Sequence, residues 1–281
     1  MRIGCNALYL YPGFTSRERF TVAAYREALA NLRRVGFEAV EYSHTFHLGT
    51  REAASLGDYA RSLALVSWSC HAEGPREFRL ADNLEEARQA LLHCLTLCAA
   101  LGGKVVVLHT PLCSEVDLAL SADADVAGAL ARDRSVLEAA CSRAAELGLD
   151  IALENGSTLA HMRYILQLRD LVGAENLGFC LDSGHAALGE LGPARAARLA
   201  GRYLHSTHLQ DNRGVEDDHL PPGEGSIDWP AVFTALREIG YSRTLMLELT
   251  DRAEGRAYDQ KREIEDGAAN VRELASHYLT A

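Results

Sequence analysis

The sequence predicts an α/β fold, a closed (β/α)8 barrel of parallel strands forming one domain over residues 1–281. Two observations carry this reading. Short apolar runs alternate eight times with longer amphipathic stretches, and no linker or low-complexity tract interrupts the rhythm. Eight units in 281 residues take about 35 each, enough for a strand, a helix and two turns. The rival is an open doubly wound sheet. That fold announces itself with Gly-x-Gly-x-x-Gly after its first strand, a pattern this sequence lacks.

Taken in order, the strand candidates are Arg2–Leu8, Ala39–His44, Leu65–His71, Lys104–His109, Asp150–Glu154, Leu177–Asp182, Tyr203–His208 and Thr244–Glu248. Helical spacing is clearest between the third and fifth runs. From Leu84 the apolar positions Ala87, Leu91, Cys94, Leu95 and Cys98 share one face, and Val126, Leu130, Leu137, Cys141 and Ala144 share another. Gly36, Gly102, Gly148 and Gly240 stand where helices should stop before the next strand. Trp68, on the opposite parity from His71, is expected under a helix, and Glu41 points into the barrel with no assigned role.

Composition narrows the function. Apolar residues at 48% and charged residues at 24% give a core large enough to fold without disulfides or structural metal. The formal charge of −11 argues against nucleic-acid and anionic-membrane partners, both of which select a positive face. Cys5, Cys70, Cys94, Cys98, Cys113, Cys141 and Cys180 are odd in number and lack CxxC spacing. That implies free thiols in a reducing, cytoplasmic setting. The N-terminus carries no signal-like apolar stretch, and no run approaches the ~18 residues of a membrane span.

Barrels of this kind place their chemistry at the carboxyl ends of the strands. Here His71, His109, Glu154, Asp182, His208 and Glu248 close strands three to eight. In Ala152-Leu153-Glu154, Cys180-Leu181-Asp182 and Met246-Leu247-Glu248 the leucines occupy the outer parity, so the carboxylates face the axis. His208 faces it too, by parity with Ser206. Three carboxylates and three imidazoles around one mouth repel or desolvate badly without a partner, and a divalent cation is the natural one. A mixed His/Asp/Glu set suits Mn, Mg, Co or Zn.

At this point the motifs match a family. Ala152-Leu153-Glu154-Asn155, Cys180 to Ala186 (Cys-Leu-Asp-Ser-Gly-His-Ala), His208 to Asn212 (His-Leu-Gln-Asp-Asn) and Leu220 to Trp229 (Leu-Pro-Pro-Gly-Glu-Gly-Ser-Ile-Asp-Trp) resemble the xylose-isomerase-like TIM-barrel superfamily. That superfamily contains ketose 3-epimerases, inosose isomerases and dehydratases, hydroxypyruvate isomerases and zinc-dependent apurinic endonucleases. The resemblance implies that Glu154, Asp182, His208 and Glu248 are the four ligands of one divalent ion, with His185 beside it either binding substrate or supporting a ligand. It also implies a small-molecule carbohydrate substrate and a homo-oligomer.

The endonuclease members hold three zincs, and their further ligands have counterparts here in His71, His109, His185, Asp217 and His219, ahead of Gly223-Glu224-Gly225. Two features oppose that reading. DNA-acting relatives need basic loops at the mouth, whereas Gln210–Asp218 carries one positive residue, Arg213, and Pro111–Asp117 is acidic. Arg213 is kept as a substrate-binding candidate for an anionic group. The Gly223-x-Gly225 turn reads as a tight backbone turn rather than a phosphate cradle, and the aromatic loop Tyr9–Phe14 as a cover for a sugar ring.

The reading is a metal-dependent isomerase or epimerase of a small sugar, ketose or polyol. By resemblance, Glu154 and Glu248 move the proton through a metal-stabilised enediolate. A three-zinc phosphodiesterase and a sugar or inosose dehydratase are the alternatives. Replacing Glu154 or Glu248 by Gln is expected to abolish turnover and weaken metal binding, whereas His161→Ala in the fifth helix does neither. Steady-state assay and metal titration check this, and unchanged turnover in either Gln variant sinks the assignment.

Overall fold

The computed structural model describes residues 1–10, 19–73, 83–110, 126–249 and 259–279. Within them eight parallel strands run around one axis: β1 (Ile3–Asn6), β2 (Ala39–Tyr42), β3 (Val66–His71), β4 (Val105–Leu108), β5 (Asp150–Glu154), β6 (Leu177–Asp182), β7 (Leu204–His208) and β8 (Leu245–Leu247). Each strand from β1 to β6 pairs with its successor, and β8 returns to pair with β1. That return is what separates a barrel from a doubly wound sheet. The described helices are α1 (Val22–Val35), α2 (Thr50–Ser62), α3 (Leu84–Leu101), α4 (Val126–Leu147), α5 (Leu159–Val172), α6 (Ser183–Ala187), α7 (Pro193–Ala200), α8 (Trp229–Glu238) and α9 (Gln260–Tyr278).

The ring closes at a seam rather than a full ladder. Leu209, just past β7, donates its N–H to the Met246 carbonyl at 2.8 Å and accepts from Glu248 N–H at 3.2 Å. Two residues earlier the Thr207 hydroxyl substitutes for the missing backbone pairing. It accepts from Met246 N–H at 2.9 Å and donates back to the Met246 carbonyl at 3.3 Å.

The elements follow from local chemistry. Thr21 caps α1 through a bond from Ala24 N–H, and Asn83 caps α3 through one from Glu86 N–H. Gly36 and Gly102 end the same two helices at φ of 94° and 78°, a left-handed geometry that a Cβ would disfavour. The predicted α3 stripe is buried throughout, Cys94 and Cys98 included. In α4 the buried face starts at Ala129 and Leu130, while Val126 is exposed. Cys5, Cys70, Cys94, Cys98, Cys141 and Cys180 are free thiols, all buried; Cys113 lies outside the described residues. No described helix is long and apolar enough to cross a membrane.

Strand alternation sorts two cores. Leu153, Leu181 and Leu247 join the large cluster between sheet and helices, whereas Val105, Val107, Ala152 and Cys180 form a small layer inside the barrel. Trp68 departs from its expected parity. It packs against the inner layer, with its indole N–H 3.4 Å from the Ser206 hydroxyl, instead of lying under a helix. The cause is a one-residue slip in register: Val40 pairs with Ser67 but Glu41 pairs with Ser69, so Trp68 is the extra residue of a bulge. A second slip makes His205 the extra residue of β7.

That second bulge depends on a glycine. A Cβ on Gly178 would lie 2.2 Å from the Tyr203 carbonyl oxygen and 2.6 Å from the His205 ring. Gly178→Ala must therefore push β6 away from β7, and overpacking of this kind costs about 1–3 kcal/mol. The expected result is a thermal midpoint several degrees lower, read by circular dichroism. An unchanged midpoint would show that the bulge relaxes freely.

Candidate functional site

At the carboxyl ends of β5 to β8, Glu154, Asp182, His208 and Glu248 each present one ligand atom, and these atoms lie within 4.8 Å of one another. All four residues are buried. His109 and Glu248, read from sequence as strand-closing residues, stand one residue beyond β4 and β8.

The motifs explain how each side chain is held. Asn155 imitates a strand partner for the neighbouring chain: its Oδ1 accepts from Asp182 N–H and its Nδ2 donates to the Asp182 carbonyl, both at 2.9 Å. Asp182 also caps α6, where its Oδ1 accepts from His185 N–H at 2.6 Å. The Ser183 hydroxyl donates to the Gln210 carbonyl at 2.7 Å and accepts from Gln210 N–H at 3.0 Å, tying β6 to the segment after β7. Gly184 leaves room for Gln210, since a Cβ there would sit 2.2 Å from the carboxamide. The Asp-Ser-Gly-His run is thus a fitting that aims two side chains at one point.

Glu154 is the electrostatic hub. His71 Nε2 lies 3.2 Å and His109 Nε2 3.6 Å from its Oε2, while His185 Nδ1 lies 3.2 Å and His208 Nδ1 3.4 Å from its Oε1. Burial alone would raise the Glu154 pKa, but His109, His208 and His185 hold it well below the usual carboxylate range. Burial would likewise lower His71, yet the hydrogen bond and charge of Glu154 push it up to about 9. Asp182 is pushed well above the usual carboxylate range, chiefly by desolvation.

His185 faces three carboxylates, with Asp182 Oδ2 3.6 Å from its Nδ1 and Asp217 Oδ2 3.4 Å from its Nε2. Asp217 in turn accepts from the Gln210 carboxamide at 2.6 Å and lies 3.0 Å from His219 Nε2. Among the described residues, a second group with ligand atoms within 4.8 Å of one another is His71, Glu154 and His208, which shares two members with the quartet.

The quartet fits a divalent cation on two grounds. Its donors are hard oxygens and one imidazole. Glu154 Oε1 and His208 Nδ1 are also buried without a hydrogen bond, although their residues are otherwise well anchored. Orphaned polar atoms aimed at one point are what a cation would satisfy.

Residues 29–274 match the family model described as Xylose isomerase-like TIM barrel. The chain belongs to that family. D-psicose 3-epimerase of Enterocloster bolteae is 25% identical over 249 residues, covering 85% of this chain and 80% of its own. Two solved structures share the fold. L-ribulose 3-epimerase superposes with a TM-score of 0.79 at 20% identity, covering 99% of this chain and 95% of that one. The IOLI protein with a bound zinc atom gives 0.77 at 19% identity, covering 100% of both.

Other expectations fare variously in this xylose isomerase-like barrel. Arg213 is largely exposed, and both its N–H and its guanidinium contact Asp218, at 3.0 and 3.5 Å. Tyr9 is buried, with its hydroxyl on the Ala28 carbonyl, while Tyr11 to Phe14 and Pro111 to Asp117 lie outside the described residues. The Gly223-x-Gly225 turn wraps a carboxylate of its own: Asp211 accepts from Gly223 N–H, Ile227 N–H and the Trp229 indole. The Gly223 N–H is thereby committed to a carboxylate of the protein itself.

His161 differs from its expectation as a bystander. Its Nδ1 accepts from Gly156 N–H at 2.8 Å and its Nε2 bonds the Thr110 carbonyl at 3.0 Å, bridging the segments after Glu154 and His109. It is a poor neutral control. The sequence offered two signals that were not used, Asn155 beside Glu154 and the buried acid Glu41 on β2.

The His71–Glu154 pair predicts a pH dependence for the chelator-treated protein. His71 is raised above its ordinary 6.5, so its stabilisation is complete below 6.5 and is lost as pH rises through about 9. Urea unfolding should give a lower midpoint at pH 9.5 than at pH 7, and His71→Asn should flatten the difference. An equal slope in that variant would show that His71 is not responsible.

Proposed function

We propose that this chain is a divalent-cation-dependent isomerase or epimerase of a small ketose or polyol, acting by proton transfer between carboxylates. The observation that supports it best is the convergence of Glu154 and Glu248, from strands three apart in the ring, within 4.8 Å of each other and of Asp182 and His208. The 3-epimerase activity of a relative covering most of the chain supports the same class.

Glu154, Asp182, His208 and Glu248 would hold one Mn, Co, Mg or Zn ion. Such an ion, when bound, stabilises negative charge beside a carbonyl and so acidifies the adjacent carbon-bound proton. Glu154 stays ionised because imidazoles surround it, which keeps it competent as a base. Glu248 joins the same cluster from just past β8, and both carboxylates approach His208 Nδ1, at 3.4 and 3.5 Å. When one carboxylate removes a proton and the other returns it to the opposite face, the carbon inverts. Return to the neighbouring carbon interconverts aldose and ketose, and loss of a β-hydroxyl gives the dehydratase alternative.

Access runs past His109 and His185, whose rings stand 5.8 Å apart and whose side chains are 41% and 23% exposed above a buried quartet. Of the two, His185 also contacts Glu154 and Asp182, which supports it as a group that meets substrate, and the burial beneath it would keep bulk water from the transferred proton. A reducing, cytoplasmic setting agrees with six buried free thiols.

A second reading, a three-zinc phosphodiesterase, draws on the chain His71–Glu154–His185–Asp217–His219, every link of which lies within 3.4 Å. The outward turn of Arg213 toward Asp218 leaves it less support. Metal counting on the purified protein separates the two. One ion per chain, together with deuterium incorporated at the inverted carbon when ketoses or inososes react in D2O, is the expected result. Three zincs with cleavage of abasic-site DNA would replace it, and a metal-free folded barrel would point to binding without turnover.

A further inference from the structure

The geometry points to Glu41 as the positioning residue that makes His208 a ligand, an inference that rests on reading the quartet as a cation site. Glu41 lies on β2, three strands from β7 around the ring by way of β1 and β8, and has no exposed surface. The register slip after Val40 sets it opposite Ser69, whose hydroxyl donates to Glu41 Oε2 at 2.6 Å. Its carboxylate reaches across the barrel interior to His208, with Oε1 3.0 Å and Oε2 3.1 Å from Nε2.

A carboxylate in a dry interior needs N–H or cationic partners, and an ionised one only accepts. The Nε2 atom of His208 therefore carries a hydrogen. In a neutral imidazole the lone pair then belongs to Nδ1, the atom that lies 3.4 Å from Glu154 Oε1 and 3.5 Å from Glu248 Oε2. Nδ1 is also buried without a hydrogen bond. Two facts thus interlock: one nitrogen is fully occupied by an acid from the far side of the barrel, and the other is left free at the centre of the quartet. A carboxylate behind a ligating histidine fixes the tautomer, locks the ring and raises the basicity of the nitrogen that faces the metal. Nothing in this role requires Glu41 to touch substrate.

The test is cation affinity rather than turnover. Zinc is titrated into the wild type and into Glu41→Gln by competition with a chromophoric chelator, alongside thermal unfolding of both proteins in metal-free form. Gln keeps the volume and an acceptor but loses the charge, and its amide is free to present N–H to Nε2 and impose the wrong tautomer. The expected outcome is a metal-free midpoint within a few degrees of wild type and zinc binding weaker by about 10- to 100-fold. The visible spectrum of the cobalt-loaded variant should shift as well, which a purely structural role would not produce. Equal zinc affinity in the two proteins overturns the assignment while leaving the cation site intact. A collapsed metal-free midpoint also overturns it, marking Glu41 as a packing group. Failure of the wild type to take up zinc or cobalt would instead sink the cation reading itself.

Discussion

A carboxylate without exposed surface stays ionised only if donors or cations meet it, and Glu154 is met by four imidazoles. His71, His109, His185 and His208 approach its two oxygens from β3, the residue after β4, α6 and β7. This single constraint organises the carboxyl end of the barrel. The motif that follows β6 exists to bring His185 to it, and Asn155 locks β5 to β6 so that Glu154 and Asp182 stay side by side. The arrangement is costly to bury, and buried charge clusters of this kind are characteristic of functional sites rather than of stable cores.

The barrel supports that cluster by dividing labour between two cores. The outer cluster of leucines, valines and aromatics between sheet and helices supplies most of the apolar burial. The inner layer is small, with Val105, Val107, Ala152, Cys180 and the indole of Trp68 beneath the polar ends. The anions consequently rest on a rigid apolar floor, where charges interact more strongly than in water.

Much of this was legible from the sequence because period-two alternation is a strict geometric rule. The outward leucines and the inward Glu154, Asp182 and His208 follow from it directly, and the eightfold strand–helix rhythm supplied the barrel. What was hidden lies where the rule breaks. A bulge inserts one residue, and both Trp68 and His205 fall at such insertions, which the apolar pattern does not mark. Glu41 was hidden for a different reason. Its partner is 167 residues away, and only closure of the ring brings β2 opposite β7. Asp211 carried no role in the sequence reading; in the structure it is the centre around which the Pro-Pro-Gly turn is wound. His161 was likewise read as one more helical residue, while its two nitrogens staple adjoining loops.

The seam between β7 and β8 has a dynamic meaning. The other adjacent strands are joined by regular ladders, two of them interrupted by a bulge, but here two backbone bonds and the Thr207 hydroxyl hold the ring shut. Local opening of a folded protein follows its least-bonded boundary, so amide exchange should be fastest along this line among the strands. His208 and Glu248 stand on its two banks. An ion shared by them would act as a clasp across the breathing edge, so that loading the site and shutting the barrel become one thermodynamic event.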